Sequence, residues 1–172
     1  MICERICPDY RVKSIFDIST KWLKRNGFTK IVVDLDNTLL PTDKTVVGPR
    51  AMTWIRQMHQ AGIMIALISN NAGERVKKIT KQTNLPVVMR AAKPLPQAYK
   101  EIEKSFGPGK ILFIGDQLFT DILGAKRRGH TTVWVQSLGG KEHWITRITR
   151  KLEAFYIDRL ISKGMMPKER IL

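Results

Sequence analysis

Four apolar runs constrain this chain more than anything else in it: Lys30–Val33, Ile63–Ile68, Lys110–Ile114 and Thr131–Val135. None alternates between apolar and polar residues, as a strand with one wet face would. Each reads as a strand buried on both sides, the pattern of a parallel sheet covered by helices. A shorter run, Pro86–Met89, reads the same way. Helix-like stretches fall between them, near Pro49–Gln60, Gly73–Gln82, Pro94–Ser105 and Thr120–Arg128. Gly27, Gly62 and Gly129 each follow a basic or polar helix end and precede a strand, where a left-handed C′ residue belongs. Pro94 suits the first turn of a helix, where its missing N–H is not needed. Strand and helix in alternation predict an α/β fold: an open, mostly parallel Rossmann-like sheet with helices on both faces. The stretch 9–27 is expected to add a helical segment ahead of the first strand.

The 172 residues suffice for one domain with a proper core. With no repeat or linker visible, 1–172 is read as a single domain, with a core at about 28–138 and a C-terminal helical extension at about 141–163. Apolar runs are far shorter than the roughly 20 residues of a membrane span. No charged-then-apolar leader stands at the N-terminus, so a cytoplasmic chain is expected, possible contact with the inner membrane face included. The two cysteines, Cys3 and Cys7, have no partners for a zinc site and read as reduced thiols. Thirty Lys+Arg against fifteen Asp+Glu give a net charge of +15. That excess points to an anionic partner: nucleic acid, an acidic membrane surface or phosphorylated substrates.

Three of the strands end on a polar residue at matching ends: Asp34, Ser69 and Asp116. Lys93, between the short strand and the next helix, falls on the same edge. In an open parallel sheet, ligands bind outside the carboxyl ends of the strands. Taken singly, each residue has an ordinary reading. Asp34 and Asp36 fit a turn or cap, Ser69–Asn71 a helix N-cap, Asp116 a turn, Asp121 a first-turn aspartate and Lys93 a solvated lysine. An EF-hand loop from Asp34 is disfavoured, because its obligatory glycine position holds Leu39.

Together the residues carry a resemblance. "DLDNT" after an apolar strand, "ISN" with Ser69, Lys93, and "GDQLFTD" with Asp116 and Asp121 resemble, in order, the four motifs of the haloacid dehalogenase-like phosphatases. "PDYRVKSIFDI", "DLDNTL", "SNN", "KP" and "GDQLFTDILGA" resemble more closely the bacterial YqeG-like branch, which is similar to mitochondrial phosphatidylglycerophosphate phosphatases. The resemblance implies Asp34 as nucleophile and Asp36 as general acid and base. It implies Mg²⁺ held by the Asp34 carboxylate, the Asp36 backbone carbonyl and the Asp116 carboxylate, with Asp121 in the next shell or orienting Lys93. Lys93 and Ser69 would meet the phosphate, with Asn70 among the substrate-binding residues; Thr38 and Asn70 would shape the two loops. The chemistry agrees with this set. Two like charges about 4 Å apart repel by ~4 kcal/mol at an effective dielectric of ~20, and a hard dication relieves that repulsion.

Superfamily members often carry inserted cap domains that select the substrate. Leu40–Arg50 and Ser69–Arg90 leave room for a minimal cap at most, so an open site is expected. Trp144, Ile145, Ile148, Leu152, Phe155, Tyr156 and Leu160 recur at helical spacing, with Arg147, Arg150, Lys151 and Arg159 among them. This basic amphipathic helix suits either a membrane interface or packing on the core. The expected substrate is a phosphate ester, foremost the lipid headgroup of phosphatidylglycerophosphate, with peripheral contact to an anionic membrane. A soluble ester or phosphoprotein is one alternative; an RNA- or ribosome-binding module on an inactive fold is another. No obligate nucleic acid is expected, since the chain lacks an RNA-stacking signature.

Overall fold

The structure, a computed structural model, describes residues 2–140 and 144–172. The start of the expected C-terminal extension (141–143) and the side chains of Trp144, Ile145 and Arg147 lie outside the described residues. In chain order the elements are α1 (Ile2–Ile6), β1 (Tyr10–Val12), α2 (Thr20–Arg25), β2 (Lys30–Asp34), α3 (Pro49–Gln60), β3 (Met64–Ile68) and α4 (Glu74–Thr83). There follow β4 (Val87–Val88), α5 (Pro96–Phe106), β5 (Ile111–Gly115), α6 (Leu123–Arg127), β6 (Thr131–Val135) and α7 (Trp144–Ser162). All strand pairings are parallel, in the order β1-β6-β5-β2-β3-β4.

The non-alternating runs are explained by what covers them. Ile31, Val33, Ile65, Leu67, Leu112 and Ile114 face one core layer with Trp54, Ile55 and Met58 of α3 and Val76 and Ile79 of α4. Val32, Ala66, Ile68, Ile111 and Phe113 face the other, with Tyr99, Ile102 and Phe106 of α5. Each strand still has a period of two, but both phases are apolar because both faces are dry. Gly124 of α6 is required by this packing: a Cβ there would stand 2.1 Å from the Tyr99 hydroxyl. That hydroxyl donates to the Thr120 carbonyl at 2.9 Å.

Two expectations change. The stretch 9–27 is not simply helical. It forms β1, a 3₁₀ turn at Ile15–Asp17 closed by a Ser14–Asp17 capping box, and the short α2. β1 pairs with β6, and the C-terminal tail lies along it: Arg170 N–H donates to the Arg11 carbonyl at 3.1 Å. Three residues are too few for a periodicity to show in sequence. The second change is at α5, which opens at Pro96 rather than Pro94, with Leu95 as N-cap.

The C-terminal helix is also split where one apolar face was expected. Leu160 is fully buried and Tyr156 and Ile157 pack with it against Leu118, Ile122 and Leu123. Ile148, Leu152 and Phe155 point outward and are more than half exposed. The apolar positions wrap too far around α7 for one contact to cover them.

Candidate active site

The strand order turns at β2. From β2 the chain runs through β3 to β4 on one side, then returns to place β5 on the other. The carboxyl ends of β2 and β5 thus frame a switch point, the place where an open α/β sheet binds ligands. Asp34 is the last residue of β2 and Asp116 the first after β5. Ser69 follows β3, and Lys93 lies between β4 and α5. Asp121 lies in a π-helical turn, Leu118–Ile122, that leads into α6. All five are buried.

Lys93 is the hub. Its Nζ donates to Asp34 Oδ1 at 2.5 Å and to Asp121 Oδ1 at 2.6 Å. Burial by itself would lower the Lys93 ammonium, but Asp121 and Asp34 outweigh it and hold the group above its ordinary range. Asn70 grips the Lys93 backbone from both sides: its Oδ1 accepts the Lys93 N–H at 2.7 Å, and its Nδ2 donates to the Lys93 carbonyl at 3.4 Å. The Asn70 amide is therefore engaged in holding the Lys93 loop. Asp121 Oδ2 accepts the Gln117 N–H at 3.0 Å. Gly115 makes room for Asp121, since a Cβ at that position would lie 2.4 Å from the Asp121 side chain.

Asp34 has one oxygen on Lys93. Its other, Oδ2, is buried without a hydrogen-bond partner. Burial pushes the Asp34 carboxyl well above the usual range; Lys93 pulls it down, while Asp121 and Asp116 push it further up. Asp34, Asp116 and Asp121 can each offer a carboxylate oxygen within 4.8 Å of the others. Three buried acids so close, one with an unmatched acceptor, fit a hard divalent cation with oxygen ligands.

Asp36 has different company. Ser69 Oγ and Asn71 Nδ2 donate to its Oδ2 at 2.6 and 3.0 Å, and Arg75 Nη1 donates to Oδ1 at 2.6 Å. Asn37 bends the chain between them with φ of 63°, a left-handed conformation that asparagine tolerates. Its carbonyl accepts the Leu138 N–H at 2.8 Å, tying the turn to the segment after β6. Thr38 Oγ1 donates to Asp116 Oδ1 at 3.3 Å. Ser69 Oγ accepts the Asn71 N–H at 3.0 Å, a loop contact, while Gly73 is the N-cap of α4.

The site gains residues to which sequence reasoning gave no role in it. Asn71 and Arg75 sit on the second motif's loop and the first turn of α4, one turn past the serine. Arg150 comes from α7. Its guanidinium donates to Asp116 Oδ2, to the Asp116 carbonyl at 2.9 Å and to Ser137 Oγ at 3.2 Å. It also faces Glu153 Oε2 at 3.3 Å. Burial raises the Asp116 carboxyl and Arg150 opposes that rise. Glu153 is buried and accepts the Phe119 N–H at 3.0 Å. The signal for this pair was present: an acid and an arginine three residues apart inside an apolar stripe.

The sequence profile of the family described as mitochondrial PGP phosphatase matches residues 3–138. The protein named probable phosphatase YqeG from Bacillus subtilis (strain 168) is 34% identical over 166 residues, covering 95% of this chain and 96% of that protein. Phosphatidylglycerophosphate phosphatase 1, chloroplastic/mitochondrial, of Arabidopsis thaliana is 30% identical over 179 residues, covering 97% of this chain and 51% of that protein. Among solved structures, the cobalt-bound deoxy-D-mannose-octulosonate 8-phosphate phosphatase YrbI from Haemophilus influenzae aligns with a TM-score of 0.50. It shares 14% identity, covers 82% of this chain and 92% of that one, and bears on the fold alone. The matched residues include β2, β3 and β5 and the polar residues at their tips, and by this match the chain belongs to the mitochondrial PGP phosphatase family.

Proposed function

We propose that this phosphatase cleaves a phosphomonoester through an aspartyl-phosphate on Asp34, and that its substrate is phosphatidylglycerophosphate, converted to phosphatidylglycerol. The Asp34 carboxylate carries the reading: Lys93 grips one oxygen, and the other is buried without a competing donor. A nucleophilic oxygen needs that combination of fixed position and open lone pair. Lys93 neutralises Asp34 and the phosphoryl oxygens that lie against it, and Ser69 offers a hydroxyl donor. Asp36 gives its proton to the departing alcohol and then takes one from the water that opens the acyl phosphate. The Asp34 and Asp116 carboxylates and the Asp36 main-chain carbonyl would hold a divalent cation, Mg²⁺ in this reading, with Asp121 beside them. When bound, that cation supplies the positive charge that lets a phosphate dianion lie against carboxylates.

The lipid assignment is supported by the family and by the surface near the site. No inserted unit separates β2 from α3 or β3 from α4 among the described residues, so no cap from those connections covers the strand tips. Among those residues, no helix is long and apolar enough to cross a membrane. The outward Ile148, Leu152 and Phe155 of α7 are flanked by exposed Lys151 and Arg159. Such a face suits shallow insertion among anionic headgroups, each basic residue adding about 1 kcal/mol of attraction. Arg150, on the inward side of the same helix, fastens it to Asp116.

The test is Mg²⁺-dependent phosphate release from vesicles containing phosphatidylglycerophosphate, with glycerol 3-phosphate in parallel. Wild type, Asp34→Asn and the double variant Leu152→Glu, Phe155→Glu are compared. Release that favours the lipid, needs Asp34 and falls in the double variant on vesicles alone is the expected result. Equal or better activity on the soluble ester overturns the lipid assignment. No activity on either, with salt-sensitive RNA binding that survives Asp34→Asn, overturns the enzyme reading.

A further inference from the structure

The Asp36 carboxylate is held as a bound anion would be. A hydroxyl (Ser69), an amide (Asn71) and a guanidinium (Arg75) converge on its two oxygens within 3.0 Å. This is the donor set of an oxyanion site, with the protein's own carboxylate in it. Arg75 does not depend on Asp36 for its position. Its Nε donates to the Lys44 carbonyl at 2.8 Å and its Nη2 to the Pro41 carbonyl at 3.0 Å. The guanidinium therefore stays in place if Asp36 turns away. Its side chain is 20% exposed, against 4% for Lys93, so an incoming group can reach it from the open edge. Lys77 on the same helix is otherwise engaged, pairing with Glu74 at 3.0 Å, and is largely exposed.

We propose that Arg75 and Asn71 form a second anion subsite, which accepts a phosphodiester carried on the leaving group of the substrate and which Asp36 occupies until that group displaces it. The inference rests on the phosphomonoesterase reading above and narrows it. The substrate class is a phosphomonoester whose alcohol bears a second phosphate a few bonds away. Selection of the substrate and release of Asp36 are then one event. The second phosphate takes the donors of Arg75 and Asn71, and the Asp36 carboxyl is released toward the leaving oxygen. An ester without that group leaves Asp36 on Arg75 and turns over poorly. The same chemistry could belong to a lipid headgroup or to a soluble molecule with two phosphates.

The experiment compares wild type, Arg75→Gln, Arg75→Lys and Asn71→Ala on three esters. They are phosphatidylglycerophosphate in vesicles, its deacylated form glycerophosphoglycerophosphate, and glycerol 3-phosphate. The ratio of kcat/KM for the deacylated diester to that for glycerol 3-phosphate is expected to fall at least about tenfold in Arg75→Gln, mainly through KM. Arg75→Lys should recover part of it, and Asn71→Ala should lose less. A preference for vesicles over the deacylated compound that every variant shares assigns the source as lipid; its absence assigns a soluble one. Equal losses on both soluble esters, with the ratio unchanged, would reduce Arg75 to a positioning residue for Asp36 and overturn the subsite. Binding of glycerophosphoglycerol, which has a diester and no scissile monoester, is titrated by NMR on the same proteins. Weakening of at least about fivefold in Arg75→Gln supports the subsite even if wild type hydrolyses none of the esters, an outcome that sinks the phosphatase reading alone. Binding unaffected by both Arg75→Gln and Asn71→Ala overturns it.

Discussion

Two cations in this molecule each bridge a pair of carboxylates, and they are built differently. Lys93 lies between Asp34 and Asp121, 4% exposed, at the tips of the central strands. Arg150 lies between Asp116 and Glu153, 22% exposed, on a helix that arrives from outside the sheet. The first pair of acids is fixed by β2 and by the turn after β5, whose packing is the core itself. The second is completed only when α7 docks. Lys93 is thus part of what the sheet presents, whereas Arg150 is how an appended helix is fastened to the site. A buried ion pair costs much to break and little to replace as a whole; one whose cation is partly exposed is weaker.

The largest effect should come from the Lys93 side. Asp34→Asn removes the proposed nucleophile and should lower kcat/KM by more than about a thousandfold. Its melting temperature should match or exceed that of wild type, because Lys93 keeps Asp121 and one buried charge is gone. A rate within about tenfold of wild type would place the nucleophile elsewhere. Lys93→Met should abolish turnover and also destabilise, by about 3–5 kcal/mol at neutral pH, since it strands Asp34 and Asp121. Chemical denaturation of the two variants reads the contrast directly. Equal stability in both would mean that Lys93 is not the hub that its distances describe.

The Lys93 region was legible in the sequence and the Arg150 region was not, for a physical reason. A strand buried on both faces needs a continuous apolar run, and β2, β3 and β5 were visible from theirs. Their polar ends then located Asp34, Ser69 and Asp116 on one edge without knowledge of the loops. Lys93 was placed on the same edge by its position between the short strand and the next helix, but its role, and Asp121, followed through resemblance, because a lone lysine in "AAKPLP" carries no pattern of its own. β1 was missed because three residues cannot show a period, and its register partners in β6 lie 123 residues away, Tyr10 against Val133. The α7 contacts were missed for a related reason. A helical wheel gives which residues share a face but not where that face docks, and Arg150 read as one of several basic residues on that helix while Glu153 was given no role.

Arg150→Gln should therefore cost less than Lys93→Met, about 1–3 kcal/mol, the range for losing charged hydrogen bonds at a partly exposed site. The loss should be local. Amide exchange should rise across α7 while β2, β3 and β5 stay protected, since Leu160, Tyr156 and Ile157 hold only one side of the helix. If protection falls equally in the sheet, α7 belongs to the core and the contrast drawn above fails.

The smallest effect is a pH dependence from the other end of the same bridge. Burial pushes the Glu153 carboxyl up to about 7, against the Phe119 amide and Arg150, which pull it down. In the unfolded chain a glutamate titrates near ~4.3. Between these values the folded protein holds a proton that the unfolded chain has lost, so stability falls as pH rises through that window. The contribution is fully present below ~4.3 and gone above about 7, and across the whole window it amounts to at most about 4 kcal/mol. Asp34 and Asp116 are also pushed upward and give a slope of the same sign, so the informative quantity is a difference. Glu153→Gln keeps an acceptor for the Phe119 N–H and cannot ionise. Its denaturation free energy should decline less steeply than that of wild type between pH 5 and 7. Parallel profiles would mean that Glu153 ionises in the folded protein as easily as in the unfolded chain. The Arg150 bridge would then be a strong pair, like that of Lys93, and the distinction between the two cations would be one of exposure only.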